Sequence, residues 1–147
     1  MKKLLSVLFL LGMTWAVSAQ KDEISMRSIL ENAGEYVNLI ERELEQEIVR
    51  MEFDIIHSSK HTYRTLTDDY EYGICAFGDF RIKDIDVRIY KWVDDKWVLI
   101  DEDEDSSSVA VVSVKPSTTA EYKIEISAYS FEEGHDVGHY GLLIFHE

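Results

Sequence analysis

Asp84 and Asp86 are the residues best placed by type and spacing to do chemistry, because they alternate inside Asp84-Ile85-Asp86-Val87-Arg88-Ile89-Tyr90. In a strand that spacing puts both carboxylates on one face, about 7 Å apart, with Ile85, Val87 and Ile89 on the other. Two such charges repel unless a cation neutralises them. Calcium takes roughly six to eight oxygen ligands, and Asp79 in the preceding turn, or Asp101, Asp103 and Asp105 further on, could complete a shell. The candidate ligands of a structural calcium ion are therefore Asp79, Asp84, Asp86, Asp101, Asp103 and Asp105. The competing reading of the same acids is turn capping in water, or pairing with Arg81 or Arg88.

Other reactive residue types are less well arranged. Asp101-Glu102-Asp103-Glu104-Asp105 has acids at alternate positions like the start of an EF-hand loop. A loop starting at Asp101, however, would place Ser106 where glycine is needed and Val112 where a bidentate glutamate is needed, so a solvated acidic loop is expected. His57 and His61, and His135 and His139, are four apart, a spacing that can bind zinc on a helix. Both pairs fall in expected loops, and neither lies in a His-Glu-x-x-His arrangement. No Gly-x-Ser-x-Gly elbow and no phosphate-binding glycine loop occurs, so no catalytic residue is assigned. Tyr90, Trp92, Trp97 and Tyr129 are aromatic residues that could offer a carbohydrate a stacking surface, or pair across strands.

Composition narrows the classes of partner. The 147-residue chain has 29 acidic and 15 basic residues, a net charge of −14, and one cysteine. Such a surface repels phosphate backbones, so nucleic acid binding is not expected. Cys75 cannot form an internal disulfide and sits in the apolar stretch Gly73–Phe77, which predicts a buried thiol. At the N-terminus Lys2 and Lys3 precede an apolar run from Leu4 to Val17 that closes on Ser18 and Ala19. This pattern is expected to be a signal peptide, residues 1–19, cleaved after Ala19. The run is shorter than a membrane span needs and Lys21-Asp22-Glu23 follows at once, so stable membrane insertion of the processed chain is not expected. The expected location is periplasmic or secreted.

The positioning elements are read from periodicity. Between Asp22 and about Arg50 the apolar residues Leu30, Ala33, Val37, Ile40, Leu44 and Met51 recur at helical spacings, which predicts an amphipathic helical segment over residues 20–50. Its stripe either packs on the protein's own sheet or binds a partner, with Leu30, Val37, Ile40 and Leu44 as the candidate partner-binding residues. From Met51 on, the period changes to two. Strands are expected near Val49–Ile56, Thr62–Leu66, Tyr70–Phe77, Ile85–Trp92, Lys96–Asp101, Ser108–Val114, Ala120–Tyr129 and Gly138–Phe145, separated by turn residues. The predicted fold is mainly β: an antiparallel, jelly-roll-like sandwich of seven or eight strands over residues 51–147, preceded by an N-terminal amphipathic helix.

From Thr62 onward the chain resembles bacterial extracytoplasmic β-sandwich domains related to the pre-peptidase C-terminal domain. Four segments carry the resemblance: Tyr72–Asp79, Asp84–Tyr90, the Pro-containing turn and Tyr-led strand Lys115–Ile126, and the closing Gly138–Phe145. The third segment lacks the glycine usual in the family's turn. The resemblance implies a sandwich used as an accessory module of secreted enzymes, with calcium bound in some relatives. No protease domain is expected beside this copy of the sandwich. The expected function is an exported, non-enzymatic binding or interaction module; the alternatives are a carbohydrate-binding module, an oligomerising module driven by the helix, and an uncharacterised hydrolase.

Overall fold

The computed structural model describes residues 25–147, so the expected signal peptide and the expected helix start at Asp22 lie outside the described residues. Helix α1 (Arg27–Asn38) runs directly into a π-helical turn, Leu39–Glu43. Eight strands follow: β1 (Glu47–Ile56), β2 (Ser59–Leu66), β3 (Tyr72–Gly78), β4 (Ile82–Val93), β5 (Lys96–Asp103), β6 (Val109–Val114), β7 (Ala120–Phe131) and β8 (Gly138–His146). Among the described residues, no helix is long and apolar enough to cross a membrane.

The strands form two four-stranded antiparallel sheets, with order β1-β8-β3-β6 in sheet A and β2-β7-β4-β5 in sheet B. Consecutive strands cross between sheets except at the β4–β5 hairpin, where Asp94 and Asp95 both take positive φ, as a tight two-residue turn requires. This is the jelly-roll sandwich expected from the strand spacing. Alternation explains its core. On β7, Tyr122, Ile124, Ile126 and Ala128 face inward while Glu121, Lys123, Glu125 and Ser127 face outward. They meet Ile74, Ala76, Leu142 and Ile144 of sheet A across the sandwich. Burial of each large apolar side chain stabilises the fold by about 1.5–3 kcal/mol.

β8 is buried along its whole length, because α1 covers the outer face of sheet A. Ile29, Ala33 and Ile40 pack there with Cys75, Phe77, Leu143 and Phe145. The floor beneath the helix is made by glycines: Gly141 lies opposite Phe77 and Gly73 opposite Phe145. A Cβ on Gly141 would come within 2.3 Å of the Phe77 ring, so the two aromatic rings lie flat across the neighbouring strand only because those positions carry no side chain.

Two features of the helical segment differ from expectation. It ends before Glu47, not near Arg50, because the chain reverses through Glu45 at φ 54° and residues from Glu47 pair with β8. Within it the docked stripe is Ile29, Ala33, Tyr36 and Ile40, which shares Ala33 and Ile40 with the expected line but takes Ile29 and Tyr36 in place of Leu30 and Val37. Leu30 and Leu44 are exposed and Val37 is half-buried, while Ile40 is buried against the sheet.

Candidate ligand-binding face

With α1 over sheet A, no element among the described residues covers the outer face of sheet B. Its outward positions come from β2 (His61, Tyr63), β7 (Glu121, Lys123, Glu125, Tyr129), β4 (Asp84, Asp86, Arg88, Tyr90, Trp92) and β5 (Trp97, Leu99, Glu102), as the strand registers require. One face of β4 thus displays two acids, a cation and two aromatic rings in a row.

At one end is a hollow of about 410 Å³ lined by Asp84, Asp86, Arg88, Glu104, Ser106 and Tyr129. Asp84 and Asp86 share a face as expected, and both are buried. Asp84 Oδ1 accepts the Ser107 N–H at 3.4 Å. Burial first, and then the charge of Asp84, push the Asp86 carboxyl above the usual aspartate range. The Arg88 guanidinium is bonded to Glu104 and lies 3.3 Å from Glu102, 3.8 Å from Glu125 and 3.9 Å from Asp86. The hydrogen bond that Arg88 donates to Glu104 leads in holding Arg88 above its ordinary pKa. Four carboxylates share this one cation.

The other acids considered for calcium lie elsewhere. Asp79 is held by Arg81, whose Nε donates to Asp79 Oδ2 at 3.0 Å, and by the backbone N–H of His139 at 3.1 Å. Burial pushes the Asp79 carboxyl up, but the Arg81 side chain and the two backbone N–H groups more than offset this and hold it below the usual range. Asp101 and Asp103 accept backbone N–H groups of β6, from Ser113 at 3.0 Å and Val111 at 2.8 Å. Asp105 is exposed at the strand end. Among the described residues, no three His, Cys, Asp or Glu side chains converge to hold a metal. The six acids do not gather into one cluster, and His135 and His139 face different partners: His139 contacts Arg81 and Asp79, whereas His135 packs against Phe80.

At the other end of the face, Tyr63, Trp92, Trp97 and Glu121 line a second hollow of about 350 Å³. Trp92 and Trp97 meet edge to face, with centroids 4.9 Å apart and planes at 61°, and Tyr63 lies 5.5 Å from Trp97. The three rings form an angled cradle. Between the hollows, Lys123 Nζ sits 4.0 Å above the Tyr90 ring and 3.3 Å from Glu125. Of the four aromatic residues that the sequence offered, Trp92 and Trp97 meet in the cradle, Tyr90 packs under Lys123 between the hollows, and Tyr129 stands apart at the acidic end, 77% exposed. Tyr63 joins the two tryptophans from β2, where the alternation His61, Tyr63, Thr65 marks an outward face.

No protein-family model matches the sequence, and no curated protein matches it significantly. Solved structures do resemble the sandwich. The pre-peptidase C-terminal domain of collagenase from Bacillus anthracis superposes with a TM-score of 0.51 at 9% identity, covering 65% of this chain and 87% of that one. The sandwich folds like a pre-peptidase C-terminal domain.

The periplasmic inhibitor of g-type lysozyme from Aeromonas hydrophila gives a TM-score of 0.48 at 8% identity, over 67% of this chain and 85% of that one. The Yersinia pseudotuberculosis-derived mitogen gives 0.47 at 10% identity, over 67% and 85%. Likeness at this identity is a likeness of fold alone. For the pre-peptidase C-terminal-like sandwich described here, function must be argued from its own exposed face.

Proposed function

We propose that this protein is an exported, non-enzymatic β-sandwich module that binds a glycan on the outer face of sheet B. The carrying observation is the Tyr63–Trp92–Trp97 cradle on a sheet face that α1 leaves open, with Tyr63 and Trp92 each more than two-fifths exposed. Aromatic faces stack on the C–H surfaces of sugar rings, and polar groups at the rim bind hydroxyls. Glu121, Lys123 and Glu125 supply that rim. The angle between the rings favours a bent or terminal sugar over the flat surface of an insoluble polysaccharide.

The non-enzymatic reading is supported by the engagement of the reactive groups. Cys75 is buried with its thiol pushed up to about 12, and His139 is occupied by Asp79 and Arg81. Export is supported by the Lys2–Ala19 pattern in the sequence. In this reading Arg88, and not calcium, neutralises the Asp84–Asp86 pair. The docked α1 leaves partner binding through Leu30 and Leu44 a secondary role.

The test is tryptophan fluorescence of the protein titrated with a panel of soluble oligosaccharides, neutral and acidic. Saturable quenching that is lost in Trp97→Ala, with the far-ultraviolet spectrum unchanged, is expected. Absence of any saturable change across the panel would overturn the glycan assignment.

A further inference from the structure

The two sheets meet along two rims, and the one between β1 and β2 is lined by charge. Because β1 and β2 sit at the rims of their sheets, their inward positions hold Arg50, Glu52 and Asp54, and Lys60 and Arg64, in place of core residues. Glu52 is shared by two guanidiniums: Arg50 Nε and Arg64 Nη2 both donate to its Oε1. One carboxylate therefore serves two cations. Beside them the β-bulge at Val49 opens a hollow of about 280 Å³.

The composition of this hollow is unlike the rest of the molecule. In a chain with 29 acids against 15 bases, its lining contains Arg50, Arg64 and His146 and no acid, with Leu66, Tyr72 and Ile144 as apolar walls. Tyr70 stacks on the His146 ring at 3.9 Å and fixes it. The Arg64 Nη1 donates to the Tyr63 carbonyl at 2.5 Å, and its Nη2 is committed to Glu52. Its Nε is buried without any hydrogen-bond partner, the one such side-chain nitrogen or oxygen among the described residues. A buried, unpaired donor calls for an acceptor. Burial first, and then the charge of Arg50, lower the Arg64 pKa.

We infer that the hollow between β1 and β2 is a binding site for a small organic carboxylate, received by the terminal nitrogens of Arg50 and by the Arg64 guanidinium, whose buried Nε a small side-chain shift brings to the ligand. A planar carboxylate matches the donor fork of a guanidinium. The apolar walls suit an acid with a hydrocarbon body. The site is separate from the sheet B cradle and does not depend on what that cradle binds.

The test uses the 15N-labelled protein and follows the Arg64 Nε–Hε resonance during titration with benzoate, with benzamide and inorganic phosphate as parallel arms. Benzoate is expected to move this resonance saturably, while benzamide leaves it in place. Arg50→Gln, a change at a half-exposed side chain, is expected to weaken benzoate binding at least tenfold with the rest of the spectrum retained. An unmoved Arg64 resonance, equal responses to benzoate and benzamide, or a response to phosphate without one to benzoate would each overturn the assignment.

Discussion

Asp101 Oδ2 accepts the backbone N–H of Ser113 at 3.0 Å, and through this contact the rim strand of sheet B closes onto the rim strand of sheet A. Asp103 repeats the contact one step along, taking the Val111 N–H at 2.8 Å. Both amides belong to β6, an edge strand whose unpaired groups would otherwise be available to a strand of another molecule. The opposite edge is closed in kind by Glu52 with Arg50 and Arg64, and by Asp54 with Lys60 at 2.6 Å. Charged side chains pointing inward from rim strands thus close the jelly roll on both sides.

Asp103→Ala is expected to lower stability by about 1.5–3 kcal/mol, the usual worth of a hydrogen bond to a charged group. Asp103→Asn keeps an acceptor and should lose less. The double variant Asp101→Ala/Asp103→Ala leaves two edge amides bare and is expected to self-associate. Urea unfolding measures the first effect and size-exclusion chromatography the second. A monomeric double variant of wild-type stability would show that these carboxylates do not guard the edge.

Asp79 carries the acid sensitivity of the fold. Its side chain is 1% exposed and that of Arg81 10%, so Asp79→Asn leaves a buried guanidinium unpaired, at a cost of about 3–5 kcal/mol. The Asp79 carboxyl is depressed in the folded state below its ordinary 3.8. Its contribution is therefore complete above that value and is lost as pH falls through the folded pKa. Stability measured from pH 6 down to pH 2 should fall less steeply in the Asn variant. Parallel curves would remove Asp79 from the acid transition.

Legibility from sequence followed the range of the interaction. The inward alternation of Tyr122, Ile124 and Ile126 is local, and all eight strands could be read from such patterns. The end of the helix could not: Glu41, Arg42, Glu43, Glu45 and Gln46 continue good helix-forming character, and only pairing of Glu47 with His146, a hundred residues away in sequence by order of magnitude, converts the chain to strand. The fates of the acids were hidden for the same reason. Asp79 meets a histidine 60 positions on, and Asp101 caps an amide on another sheet, so a pattern that looks like a solvated run or a metal loop is used up by tertiary contacts. Asp84 and Asp86 keep the shared face that alternation dictates, yet Arg88 on that same face supplies the cation.

Ile29 is expected to govern access to Cys75, because both belong to the layer between α1 and sheet A. With its thiol pushed up to about 12 by burial, Cys75 should be nearly inert to a thiol reagent at pH 8 in the folded protein. Ile29→Ala removes a fully buried side chain, which costs about 2–5 kcal/mol. If the loss falls on helix docking, labelling should accelerate by about a hundredfold while the sandwich stays folded, since each 1.4 kcal/mol is about tenfold. Labelling that tracks global unfolding alone would show that the helix does not detach as a unit.

Asp86 should be the residue whose ionisation works against the fold. Its pKa is raised in the folded state, chiefly by burial and then by Asp84, so the native protein binds this proton more tightly than the unfolded chain does. Stability from this group falls as pH rises from the ordinary aspartate value of 3.8 through the folded pKa. Asp86→Asn removes that penalty and is expected to stabilise the protein at pH 7 by up to about 1 kcal/mol, the gain disappearing below pH 4. Arg88→Gln acts in reverse, since it strips the cation shared by Asp86, Glu102, Glu104 and Glu125. Because Arg88 already fills this role, thermal unfolding of the chelator-treated wild type should be unchanged by millimolar calcium at fixed ionic strength. In Arg88→Gln the acids are left without their cation, and calcium should then raise the midpoint. A calcium-specific rise in the wild type that magnesium does not reproduce would show instead that the acidic hollow takes a metal beside Arg88, and Asp84→Asn and Asp86→Asn would then abolish that rise.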